Sequence, residues 1–138
     1  MIHDCIDTNV IVRYLVETPE TIESQFKGVF GFFEKLESGR LQALLPEIVL
    51  FQTFFVLTSY YGVPGAEAAG QLTKIIRFKG VSIPEKTVVL ECLEFLRHTK
   101  TDIVDAWIIA YSRLKKIPGV YSFDKGFVVH GLRLLKVE

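Results

Sequence analysis

The chain has 138 residues, 49% of them apolar and 23% charged, enough for one domain with a real core. Sixteen basic residues balance sixteen acidic ones, which excludes a bulk attraction to nucleic acid, so any such binding must come from a local patch. Only two cysteines are present, which excludes a disulfide framework; Cys5 and Cys92 both sit in apolar surroundings and are expected as buried free thiols in a reducing cytosol.

In chain order, "IHDCI" alternates and ends at Asp7, the pattern of a short strand. Asp4 and Asp7 interrupt what would have to be the apolar core of a signal peptide. "VIVRYL" then begins a short helix that stops near Pro19. Ile22, Phe26, Val29, Phe30, Phe33 and Leu36 recur at three- and four-residue steps, which predicts one helix over 20–38, closed by Gly39. "LQALL" reads as a second strand. Pro46 opens a strongly apolar helix, "PEIVLFQTFFVLTSYY", stopped by Gly62. Pro64 opens "PGAEAAGQLTKIIRF", a helix; "VSI" is a short strand; "EKTVVLECLEFLRH" and "TDIVDAWIIAYSRLKK" are helices, the latter ended by Pro118-Gly119. "VYSF" and "LRLLKV" are the last strands. No stretch approaches the ~18 unbroken apolar residues of a membrane helix, so no membrane association is expected. The alternation predicts one α/β domain over 1–138, an α/β/α sandwich with a mostly parallel central sheet of about four to five strands. Sites in such sheets form at the carboxyl ends of strands, where Asp7 and Asp124 both fall.

Asp7 ends a strand and precedes a helix, so it reads equally as an N-cap or as a site acid; Asn9 can cap as well. Asp105 lies in "DIVDAWIIAY", a helix apolar on nearly every face. Asp102 or Thr101 is the better N-cap there, so Asp105 is left without that task. An ionised carboxylate in such a helix costs several kcal/mol unless it meets a base, a metal or a water-filled pocket. Asp124 in "VYSFDKGF" reads, alone, as a turn aspartate, with Ser122 on the same side of the strand. Gln52 and Thr53 are the only polar residues between Glu47 and Thr58. Gln52 is therefore expected as a satisfied core amide or as a group at the same pocket. Glu47 reads as a first-turn acid favoured by the helix dipole.

Taken in order, "IDTNVIVRYL", "LLPEIVLFQTFFVL", "TDIVDAWIIAYSRL" and "VYSFDKGF" resemble the PIN domain, and within it the toxin ribonucleases of VapBC-type toxin–antitoxin pairs. The resemblance covers almost the whole chain. It implies that Asp7, Asp105 and Asp124 are the acids that bind Mg²⁺ or Mn²⁺. It matches Asn9 and Ser122 to supporting positions and Phe127 to the aromatic after the last acid. The departure is Gln52, which stands where a glutamate is usual and removes one negative charge from the catalytic set.

The implied chemistry is coherent. Hard cations prefer carboxylate oxygens, and clustered carboxylates repel unless a cation neutralises them. The ion would activate water for in-line attack on an RNA phosphate. Arg13, close behind the first motif, is the preferred phosphate contact; Arg40, Lys74, Arg77, Lys79, Lys115 and Lys116 are further rim candidates that otherwise read as ordinary surface charges. The phenylalanine-rich stretches "FKGVFGFF" and "FQTFFVL" suggest a homodimer face or an antitoxin groove, or else a well-filled core. Two rival readings stand beside the cytoplasmic toxin ribonuclease. One is a PIN-like protein-binding module weakened or inactivated by Gln52; the other is an unrelated metal-dependent phosphohydrolase of the same layout.

Overall fold

The computed structural model describes residues 3–138. Helices α1 (Thr8–Val16), α2 (Gly28–Ser38), α3 (Glu47–Phe55), α4 (Gly65–Ile76), α5 (Lys86–His98), α6 (Ile103–Lys115) and α7 (Gly126–Val129) are threaded by strands β1 (Ala43–Leu44), β2 (Val81–Ser82), β3 (Gly119–Tyr121) and β4 (Arg133–Leu135). β1 pairs with β2 and β3 with β4, both in parallel. Parallel neighbours need crossover connections, and helices supply them here. The result is the mixed α/β architecture that the alternation of apolar patterns predicts. Among the described residues no helix is long and apolar enough to cross a membrane.

The first expected strand begins at Ile2, outside the described residues. Its remainder is an extended run joined to β1: the Ile6 N–H donates to the Leu44 carbonyl at 2.9 Å and the Leu44 N–H to the Asp4 carbonyl at 2.8 Å. Side chains alternate along an extended chain, so Ile6 enters the core and Cys5 faces out. Cys5 is thus exposed, against the expectation of a buried thiol, whereas Cys92 on α5 is buried as expected.

The helix expected over 20–38 is broken. Ser24–Phe26 form a 3₁₀ turn and α2 starts only at Gly28. Phe26 does not join the α2 stripe; it lies beneath the Arg13 guanidinium, 3.4 Å from ring centroid to carbon. Ile22 is buried ahead of both elements. Gly39 closes α2 in the left-handed conformation, φ +82°, as its position predicts. Gly80, just before β2, has a different reason to be glycine: a Cβ there would lie 1.9 Å from the Leu41 carbonyl oxygen.

The core gathers Phe33 and Leu36 from α2, Leu50 and Leu57 from the α3 region, Leu72, Ile75 and Ile76 from α4, and Leu93 from α5. Each fully buried aliphatic or aromatic side chain contributes about 1.5–3 kcal/mol. α5 packs against both α4 and α6. After Phe55 the helix loosens into a π-helical turn, Val56–Tyr60, before Gly62 ends it. Of the two phenylalanine-rich stretches, Phe33 and Phe54 are buried and Phe55 is exposed, so much of that aromatic content fills the core.

Candidate functional site

Asp102 sits at the N-cap of α6, as its sequence position predicts. Its Oδ1 accepts from the Asp105 N–H at 2.9 Å. Capping at a three-residue interval brings the Asp105 carboxyl to the same end of the helix. Asp105 is half-buried, and α6 has an exposed face at Val104, so the helix is not enclosed on all sides. None of the ion pairs among the described residues involves Asp105. It opens instead onto a cavity of about 280 Å³.

Asp124 reaches the same cavity from the turn after β3. Two local bonds set that turn. The Asp124 N–H donates to Ser122 Oγ at 2.9 Å, and the Gly126 N–H donates to Asp124 Oδ1 at 2.8 Å. A Cβ on Gly126 would come within 3.0 Å of that oxygen, so the small residue keeps the turn open. Ser122 therefore shapes the turn through its oxygen. Phe127, three residues on, is buried in a small apolar cluster with Ile109 and Leu132. Ile109 lies one helical turn after Asp105. This packing ties the Asp124 turn to α6 and accounts for the meeting of the two acids.

Asp102, Asp105, Asp124, Lys100 and His130 thus line one cavity. The Asp105 carboxyl is raised above its ordinary value, first by burial, then by the charge and hydrogen bond of Asp102, and then by the charge of Asp124. Asp102, Lys100 and His130 were not singled out for the site from sequence. The available signal was the three-residue interval between Asp102 and Asp105, which puts both acids at one helix end.

Asp7 does not line this cavity. It is exposed at the N-cap of α1, where its Oδ1 accepts from the Thr8 N–H at 2.7 Å. Gln52 lies beside it: the buried Thr8 hydroxyl donates to Gln52 Oε1 at 2.7 Å. Gln52 itself is exposed, which corrects the core-amide expectation. α3 turns Leu50, Thr53 and Phe54 inward and Gln52 outward, and Thr53 meets its own polar need by donating to the Val49 carbonyl at 2.7 Å. α3 and α6 touch through Phe51 and Trp107, edge to face at 5.2 Å. Gln52 and Asp105 therefore stand close in sequence to a shared contact between neighbouring helices.

Asn9 and Arg13 border a separate cavity of about 260 Å³. The Arg13 guanidinium is already engaged, stacked on Phe26 and paired with Glu17 at 3.1 Å. The thiol of Cys92 is pushed up to about 12 by burial, so it is inert.

The donors around the first cavity suit a hard divalent cation: they are carboxylate oxygens, and their mutual repulsion is what a cation would relieve. Among the described residues no three His, Cys, Asp or Glu side chains form a ready-made ligand group. Mg²⁺ does not need one, because it keeps several waters and is held by one or two carboxylates with substrate phosphate. Asp105 and Asp124 are the pair that fits.

The model of one protein family, described as PIN domain, matches residues 5–131 of the chain. No curated protein matches it.

Proposed function

The chain belongs to the PIN domain family, whose members are generally metal-dependent nucleases, and from that premise we propose that it is an endoribonuclease working with Mg²⁺ or Mn²⁺. The observation that carries this reading is the convergence of Asp105 and Asp124, from different elements, on one cavity where like charge raises the Asp105 carboxyl. Both motif and geometry support these two acids. Asp7 is supported by its motif and by its place at the carboxyl end of the extended Asp4–Ile6 run.

Asp105 and Asp124 would hold the ion, which when bound supplies Lewis-acid stabilisation of phosphate charge and a more acidic water. The chain's own residues do the rest. Asp102 caps α6 and so fixes the backbone at Asp105. Ser122 and Gly126 hold Asp124 in its turn. Phe127 and Ile109 form one apolar wall of the cavity. Asp7 caps α1 through the Thr8 N–H, and the Thr8 hydroxyl holds Gln52 by its side-chain oxygen.

In the finer reading the protein is the cytoplasmic toxin of a toxin–antitoxin pair, a homodimer neutralised by an antitoxin protein. Exposed Ile48, Phe55, Tyr60 and Tyr61 favour such contacts. One observation favours the weakened-module reading: the position usual for glutamate carries Gln52, whose oxygen is taken by Thr8.

RNA cleavage with Mn²⁺ by the wild type, Asp7→Asn, Asp124→Asn and Gln52→Glu tests these readings together. The nuclease reading expects cleavage by the wild type and its loss in both aspartate variants. An inert wild type with an active Gln52→Glu would favour the weakened module. Cleavage unaffected by Asp124→Asn would remove the site.

A further inference from the structure

A second cavity, about 610 Å³ in volume, adjoins the acidic one. The two share Lys100 and Thr101, which form a wall common to both. Its lining differs in kind. Arg97, His98 and Lys100 come from the end of α5 and the loop behind it; Pro64, Gly65 and Ala66 form the first turn of α4. Leu96 supplies an apolar floor.

Lys100 is exposed and makes no ion pair among the described residues. The ammonium at the junction is therefore free to meet an incoming anion. Arg97 pairs with Glu94 at 3.2 Å, but both groups are about half exposed, 47% and 53%. Exposed pairs of this kind contribute little and exchange partners readily. Glu94 also takes His98, at 2.8 Å. Arg13, by contrast, is held by a ring face and a carboxylate at once.

Resting on the ribonuclease reading above, we infer that this groove carries the backbone of single-stranded RNA into the acid cavity, with Lys100 as the phosphate contact nearest the carboxylates and Arg97 as the next along the strand. An acidic cavity alone repels a polyanion, and a flanking basic groove offsets that repulsion. The groove lining contains no aromatic ring other than imidazole. Binding is therefore expected through phosphate and sugar, with little base preference, since stacking platforms are what hold bases.

The test is binding of a labelled single-stranded RNA to the full chain, followed by fluorescence anisotropy with EDTA present over a salt series. Wild type, Lys100→Gln, Arg97→Gln and a control, Lys35→Gln on α2 outside both cavities, are compared, with cleavage in Mn²⁺ measured in parallel. Lys100→Gln and Arg97→Gln should each weaken binding about fivefold and flatten the salt slope by about 0.7 per lost contact, while the control changes neither. If the wild type cleaves RNA but the two groove variants bind as it does, the groove assignment fails and the nuclease reading survives. If the wild type neither binds nor cleaves, both fail. Displacement of the RNA by poly-glutamate as effectively as by unlabelled RNA would point to an acidic protein partner and overturn the assignment. Both substituted side chains are exposed, so unchanged thermal unfolding is expected and confirms that the variants fold.

Discussion

Asp105→Asn should change stability little without a divalent cation and lose most of the stabilisation that the cation gives the wild type. In the metal-free protein the substitution removes like-charge contacts with Asp102 and Asp124. Each such contact between solvent-shared neighbours costs about 0.2–0.5 kcal/mol. It also removes an acid from the first turn of α6, where the helix dipole favours one by about 0.3–1 kcal/mol. The two effects oppose, so stability shifts by less than about 1 kcal/mol, or roughly 4 °C in Tm. Its pH dependence has a definite sign. The native carboxyl is raised, so between its ordinary and raised values the native state holds more protons than the unfolded chain, and stability falls as pH rises through that window. Asp105→Asn lacks this fall and gains on the wild type across it. With Mn²⁺ at about a hundredfold excess over its Kd, the wild type gains about 2.7 kcal/mol by mass action, roughly 10 °C, and the variant gains little. Differential scanning fluorimetry at neutral pH, with EDTA and then with Mn²⁺, reads both effects. An equal Mn²⁺ shift in wild type and variant would refute the assignment of Asp105 as a ligand.

Other consequences are simpler to check. Asp102→Ala removes the α6 cap and should cost about 1 kcal/mol in urea unfolding, while NMR titration should show the Asp105 pKa moving down. Phe127→Ala empties the small cluster that binds the Asp124 turn to α6; it should cost about 3 kcal/mol and reduce cleavage, whereas Phe127→Leu should restore most of both. Thiol labelling of the native protein should stop at Cys5, with Cys92 reacting only on unfolding.

Much of the fold was legible because its signals are local. Gly39, Pro46, Gly62 and Pro64 mark helix ends through backbone preferences that need no tertiary context. Asp102 was recognisable as a cap for the same reason. The break before α2 was not legible, because it depends on Phe26 leaving the stripe to lie under Arg13, a contact between distant segments. Gln52 misled because so many apolar neighbours hid the period: Ile48 and Phe55 are exposed on α3, so its outward face looks like a core face in sequence. Cys5 misled for a similar reason, since the apolar run around it belongs to the alternate residue, Ile6. The motifs named Asp105 and Asp124, and the fold brings them to one cavity. They gave no sign of Lys100 or His130, whose place there depends on how α5 meets the last turn of the chain. Asp7, named by the same motifs, lines no wall of that cavity.

The central claim is that the carboxylates of Asp105 and Asp124 hold a divalent cation in this cavity. An anomalous difference map from a crystal soaked in Mn²⁺ tests it without recourse to activity. A peak is expected about 2.0–2.6 Å from oxygens of both side chains, the span of hard-cation bonds to oxygen. A peak seated elsewhere, or a cavity filled by the Lys100 ammonium with no peak at all, would contradict it.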